Sequence, residues 1–310
     1  MALRIVLFCI LLPAQFASTW ASNTLPAPQV EKINDQVYAL LGPVGFPDKV
    51  NQGYMANSAI LIGDSGVVLI DTGFTHQIGE HLKKTIAEIT DKRVTHIINT
   101  HDHGDHTLGN SAFENVEIIS SQKCRELVKQ RGYEWVATVE QMTSKTFPDT
   151  KPVAADTVYP ANSRTRVTLQ GIDMELWVPA GSHTPGDMMV YLPQYKLLVA
   201  GDILVKKMMP SFRDANAGNW IATLEQISQT DIQTAIPGHG PLMDMDDIKA
   251  MHKRMEKLYA GIEAGYKKGL MDSEIRKTLD LSEWKEMVEF EGLMGTAINR
   301  TYLEVERKNF

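Results

Sequence analysis

Short apolar runs alternate along the chain with longer stretches of helical spacing. Val37 to Leu41, Ser58 to Ile62, Val67 to Ile70, Val94 to Asn99 and Val116 to Ile119 have the length and β-branched content of buried strands. A second set follows at Arg166 to Leu169, Met174 to Val178, Met188 to Leu192, Lys196 to Ala200 and Thr234 to Ile236. Between the strands, His76 to Ile89 puts Ile78, Leu82, Ile86 and Ile89 on one helical face. Gln122 to Phe147 reads as mainly helical, and Ala217 to Ser228 as one helix. From Asp244 onward the spacing is helical throughout. Ile248, Met251, Met255, Leu258 and Ile262 mark one helix, Asp272-Ser273 and Leu281-Ser282 read as helix starts, and Met294 to Val305 suggests a last helix. Strands paired with helices in two successive halves predict an α/β fold, followed by a helical C-terminal segment over 245–310.

One polar stretch interrupts this pattern. Thr100 to Asn110 reads T-H-D-H-G-D-H-T-L-G-N, with His101, His103, Asp105 and His106 within six residues. It leaves the buried strand at Val94 to Asn99, and α/β folds place their sites on such strand-to-loop exits. His101 and His103 are two apart, so extended backbone points them the same way. Gly104 permits a tight turn, and Asp105 and His106 beyond it can face a second metal. Zinc takes imidazole nitrogen and carboxylate oxygen at about 2 Å. His183 in Gly-Ser-His-Thr-Pro-Gly, Asp202 in Ala-Gly-Asp and His239 in Pro-Gly-His-Gly each follow an apolar run and neighbour glycine. The expected grammar is strand, glycine-rich turn, ligand, four times over.

These residues resemble the metallo-β-lactamase superfamily, over roughly Val37 to Asp244. The family motif His-x-His-x-Asp-His is matched in full by His101, His103, Asp105 and His106. The resemblance implies a four-layer αββα sandwich over 22–244. It also implies two zinc ions per chain, one held by His101, His103 and His183, the other by Asp105, His106 and His239, with Asp202 bridging. Asp71, in Asp71-Thr72-Gly73, supports the ligand loop by hydrogen bonds without being a ligand. The resemblance is looser at Asp202, where two-zinc β-lactamases usually carry cysteine or serine. An aspartate there is similar to glyoxalase II and many other hydrolases of the family. The helical C-terminal segment is similar to that of glyoxalase II-like relatives, where such helices help form the substrate mouth. The pattern also resembles periplasmic zinc hydrolases associated with quinoprotein or sulfur-oxidation systems.

The long loop from Gly42 to Asn57 mixes turn formers with Phe46 and Tyr54, which are candidates for apolar substrate contact. The same side chains can instead pack on their own scaffold. His81 is expected on the polar side of its helix, His96 as a packed structural residue and His252 at the surface. With His76 they are given no chemistry.

Met1 to Ala21 reads as a secretory signal peptide: Arg4 is its only charge, Ile5 to Leu12 is apolar, and Thr19-Trp20-Ala21 offers small residues for cleavage. The apolar run is short of the ~20 residues a comfortable membrane span needs. Removing 21 of 310 residues leaves 289, enough for one large domain with a helical appendage. Export predicts a periplasmic location with no stable membrane insertion after cleavage. The mature chain retains one cysteine, Cys124, so no internal disulfide can form. Cys124 is expected as a packed small hydrophobe. Losing Arg4 takes the net charge from −7 to −8. No long basic run accompanies that acidity, which argues against nucleic acid and for a small-molecule substrate.

The expected activity is hydrolysis of an ester, thioester, lactone or β-lactam carbonyl by a hydroxide bridging two zinc ions. Asp105 binds metal and orients the hydroxide proton. Residual positive charge at the site favours anionic substrates. Two alternatives stand beside it. One is a di-iron oxidoreductase of the same fold, a branch that normally carries glutamate where this chain has His103. The other is a non-catalytic periplasmic metal-binding or maturation factor for a secreted redox enzyme.

Overall fold

In the computed structural model, which describes residues 24–309, the apolar runs pair into two sheets. The signal-peptide expectation at Met1 to Ala21 lies outside the described residues. The first half runs β1 (Gln29–Lys32), β2 (Val37–Leu41), β3 (Ser58–Ile62), β4 (Val67–Ile70), α1 (His76–Ile89), β5 (Val94–Ile98), α2 (Gly104–Thr107), β6 (Glu117–Ser121), α3 (Gln122–Thr143) and β7 (Thr157–Tyr159). Its seven strands lie side by side in chain order, antiparallel up to β4 and parallel from β4 to β7. The second half runs β8 (Ser163–Leu169), β9 (Ile172–Val178), β10 (Met189–Leu192), β11 (Leu197–Val205), α4 (Ala217–Ser228) and β12 (Thr234–His239). Its sheet has the order β12-β11-β10-β9-β8, with only β11 and β12 parallel. Helices α5 (Met245–Lys267), α6 (Asp272–Thr278) and α7 (Phe290–Lys308) complete the chain.

Period-two alternation decides the layers. On β4, Val68 and Ile70 face the second sheet and meet Leu176, Val190 and Val199 in one buried cluster. Leu69 faces the other way, toward Ile78, Leu82 and Ile86 of α1. On the far side of the second sheet, Leu198 and Ala235 meet Trp220 and Leu224 of α4, Met251 and Met255 of α5, and Met294 and Ile298 of α7. The fold is therefore the expected four-layer αββα sandwich. Each fully buried Leu, Ile or Met contributes roughly 1.5–3 kcal/mol. The last helices share one core with α4, β11 and β12, so the methionines at 251, 255 and 294 are packing residues. Asp244 caps α5 through a reciprocal capping box with Asp247.

Three local expectations change. No helix begins at Leu281-Ser282: the Ser282 amide and hydroxyl both bond Asp280 Oδ1, which holds turns there instead. Strands β1 and β7 add to the expected set without an apolar run, since β1 is an exposed edge and β7 is three half-buried residues. Strand β11 continues through Gly201 and Asp202 to Val205 by register shifts, and β12 runs to His239. Asp202 and His239 are thus strand residues, not turn residues. Among the described residues, no helix is long and apolar enough to cross a membrane.

Candidate metal centre and its cleft

The ends of β4, β5, β11 and β12 meet at one edge of the sandwich. The β4 chain leaves through Asp71, held at φ 60° in the left-handed region that few non-glycine residues adopt. That backbone turns the Asp71 carboxylate onto the neighbouring loop. Its Oδ1 accepts from the Thr100 amide at 2.8 Å, and its Oδ2 accepts from Thr100 Oγ1 at 2.7 Å and His106 Nδ1 at 2.7 Å. Asp71 is therefore where the family resemblance puts it, behind the ligands. Asn99 and Asn110 brace the same loop, with Asn110 Nδ2 donating to Asn99 Oδ1 at 2.8 Å and Asn99 Nδ2 donating to the His106 carbonyl at 3.1 Å.

His101 lies in a bend beyond β5, His103 is extended just before α2, and Asp105 and His106 lie on the single turn of α2. Gly104 is needed for space and not for a special φ. A Cβ there would stand 2.3 Å from Phe74 Cε2 and 2.7 Å from Trp135 Cβ. Gly238 is needed in the same way, since its Cβ would stand 1.9 Å from Asp202 Oδ1.

The structure gathers all seven expected ligands into two buried groups: His101, His103, His183 and Asp202, and Asp105, His106 and His239. Within each group the donor atoms lie within 4.8 Å of one another. In the first, His183 Nε2 is 3.1 Å from His103 Nδ1 and 3.3 Å from Asp202 Oδ2. In the second, His239 Nε2 is 3.2 Å and His106 Nε2 is 3.4 Å from Asp105 Oδ2. Asp202 Oδ1 also faces this group, 3.2 Å from His106 Nε2 and 3.3 Å from His239 Nε2.

Outer hydrogen bonds fix which nitrogen points inward. His183 Nδ1 donates to the Ser211 carbonyl at 3.1 Å and His239 Nδ1 to the Met55 carbonyl at 3.2 Å. His101 Nδ1 is 3.0 Å from Thr100 Oγ1, which is itself donating to Asp71. His103 is turned round: its Nε2 bonds Asp214 Oδ2 at 3.0 Å and its Nδ1 faces inward. His101 Nε2, His106 Nε2 and Asp202 Oδ1 are buried without a hydrogen-bond partner among the described residues. Buried polar atoms are rarely left so. Imidazole and carboxylate donors aimed at a common point, each oriented from outside, fit a pair of metal ions.

The charges agree with that fit. Burial, reinforced by His106 and His103, pushes the His101 imidazole well below its usual range, and burial takes His183 down to about 3. Burial opposes charge on His239 as well, but Asp202 and Asp105 outweigh it and push that imidazole up to about 10. His106 is raised in the same way, by Asp105, Asp202 and Asp71 against burial. Asp105 and Asp202 are held well below the carboxylate range, since these histidines outweigh the burial that would raise them. Two buried carboxylates thus call for cationic charge in the space they enclose.

Over the groups opens a cleft of about 270 Å³ with Asp105, Asp202, His103 and His239 on its floor. Its walls are mostly apolar: Phe46 from the loop before β3, Trp135 and Met142 from α3, Met208 and Met209 after β11, and Leu293 from α7. Phe46 lines this cleft. Tyr54 does not: it is 1 % exposed and packs with Phe74 and Val139 under the loop, so it cannot touch a substrate. Its loop still serves the site, because Asn57 Nδ2 holds the carbonyls of Pro237 and Gly240 at 2.8 Å on either side of His239. His252 is half-buried beside Glu256 and not at the surface. Cys124 is buried near the start of α3, as expected. Sequence reading missed Arg131, Trp135, Arg213 and Asp214. Only Asp102, sitting between two ligand histidines, was near a signal.

The sequence profile of the metallo-beta-lactamase superfamily matches residues 52–239, from the loop over the site to its last ligand. The chain belongs to this superfamily. It is 28% identical over 198 residues to a metallo-beta-lactamase type 2 of Bacillus sp. (strain 170), an alignment covering 61% of this chain and 68% of that one. It is 24% identical over 219 residues to a beta-lactamase-like protein 2 homolog of Caenorhabditis elegans, covering 69% and 65%. Among solved structures, a metallo-beta-lactamase from Pontibacter korlensis superposes with a TM-score of 0.60 at 23% identity, covering 74% of this chain and 99% of that chain. That likeness concerns the fold. Membership makes this chain a metallo-β-lactamase superfamily hydrolase, with two buried residue groups suited to a dinuclear metal site.

Proposed function

We propose that the protein is a dinuclear zinc hydrolase that opens an ester, thioester, lactone or β-lactam carbonyl. One observation carries the reading: Asp202 turns Oδ2 to His183 at 3.3 Å and Oδ1 to His106 and His239 at 3.2 and 3.3 Å. A carboxylate placed so would be able to bridge two cations, and this supports the reading. His101, His103 and His183 would hold one zinc, and Asp105, His106 and His239 the other. Zinc bound there supplies Lewis acidity and activates water at neutral pH. The chain's own part is to position. Asp105 lies on the cleft floor, where it can orient a proton of the attacking water. Phe46, Trp135 and the methionines exclude bulk water and take the apolar part of the substrate. Arg213, stacked on Trp135 at 4.7 Å and without an ion pair among the described residues, supports an anionic substrate. β-Lactams are kept in the screen because some relatives of the chain are named metallo-beta-lactamase type 2.

Elemental analysis and a screen of thioesters, esters, lactones and β-lactams with the zinc-loaded protein test this together. Two zinc ions per chain and turnover of at least one class are expected. Iron with redox activity would favour the oxidoreductase, and tight zinc with no turnover the maturation factor. We further propose export by cleavage after Ala21 and action in the periplasm, which the composition of Met1 to Ala21 supports.

A further inference from the structure

We propose that Arg131 and Asp214 form a strut that fixes His103 as a ligand and ties one wall of the cleft to the first ligand group. The inference rests on reading that group as a metal site.

Arg131 projects from the middle of α3. Its Nε donates to Asp102 Oδ2 at 2.7 Å, and one terminal nitrogen donates to Asp214 Oδ1 at 2.9 Å. The other terminal nitrogen lies 2.7 Å from Asp102 Oδ2. Asp102 is fully buried between His101 and His103 in the sequence, and a buried carboxylate needs a cation. Arg131 is that cation, so the ligand loop is pinned from behind. Asp214 uses both oxygens, Oδ1 for Arg131 and Oδ2 for His103 Nε2 at 3.0 Å. Held at both ends, it fixes the ring of His103 and leaves Nδ1 as the inward donor. A single hydrogen bond to His103 would allow the ring to swing; the guanidinium fork removes that freedom.

The second half of the inference concerns residues 206–216. This segment carries Asp214, and it also carries Ser211, whose carbonyl accepts from His183 Nδ1 at 3.1 Å. The two histidines whose inward nitrogens stand 3.1 Å apart are therefore held from outside by one stretch of chain. The same stretch supplies Met208, Met209 and Arg213 to the cleft wall. A cation drawing His103 Nδ1 and His183 Nε2 to one point orders their outer partners, and so the wall. By reciprocity, an ordered wall strengthens the site.

Stepwise zinc titration of the full chain against a chelating dye tests the strut. Asp214→Ala, and Asp214→Asn, which keeps the volume, are expected to weaken one zinc site by roughly 10- to 100-fold and leave the other within about threefold. Arg131→Lys, which keeps the charge but loses the fork, is expected to fall between these variants and the unaltered chain. Hydrogen exchange gives the second readout: zinc should slow exchange across 206–216 in the unaltered chain, and less so in either Asp214 variant. Zinc affinity unchanged in both Asp214 variants, or zinc-dependent protection of 206–216 undiminished in them, overturns the strut. Failure of the unaltered chain to take up two zinc ions overturns the dizinc reading and the strut with it.

Discussion

Replacing Asp202 with alanine removes a side chain that faces both candidate ligand groups. The loss can be counted from the geometry. Oδ2 leaves the first group, where three imidazoles remain, and Oδ1 leaves the second, where Asp105, His106 and His239 remain. On the dizinc reading, each metal would lose a ligand and the pair a shared negative charge. The expected result is weaker binding at the second site and a fall in kcat of roughly 10²-fold or more, on the order of 3 kcal/mol in the barrier. The fold should survive, because the β11 ladder to β10 and β12 runs through the backbone and the neighbouring core is untouched. Asp202→Cys should keep more metal than Asp202→Ala, since thiolate is a good zinc ligand. Circular dichroism, zinc titration and turnover of the best screened substrate, measured on one preparation, make the assay. An alanine variant that holds two zinc ions tightly and turns over undiminished would refute the bridging argument.

Stripping the metal should also cost stability. Zinc at a thousand times its Kd adds about 4 kcal/mol by mass action, so chelation should lower Tm by roughly 8–16 °C in a scanning experiment. Zinc affinity should fall as pH falls, because protons already favoured on His239 and His106 compete for the same lone pairs; titrations at pH 6 and 8 give the sign. Gly104→Ala drives a Cβ into Phe74 and Trp135 and should destabilise by about 1–3 kcal/mol in a urea melt. An unchanged midpoint would mean that α2 shifts freely. Protein recovered from the periplasm of a Gram-negative host should begin near Ser22; an intact Met1 in the membrane fraction would mean an anchor.

The sequence by itself carried ten of the twelve strands of the described residues, and through the family resemblance the order of layers and seven candidate ligands. Strands such as β3 and β4 announce themselves because both faces are buried, which demands unbroken apolar runs. The ligands were legible because His-x-His-x-Asp-His concentrates metal donors in a stretch that folding leaves almost no other use for. What the sequence could not carry is relations between distant residues. Tyr54 and Phe46 look alike in a loop of turn formers, yet one packs under the loop and the other lines the cleft, since the difference is which side of the loop faces Val139 and which faces Met208. Gly104 reads as a turn glycine, but its reason is the approach of Phe74 and Trp135, residues 30 and 31 positions away. Arg131 and Asp214 are 83 apart and carry no local signal. Only the closure of α3 against the segment after β11 turns an ordinary arginine and an ordinary aspartate into the backing of a ligand. Local pattern reports what each residue must bury; the tertiary structure alone decides against whom.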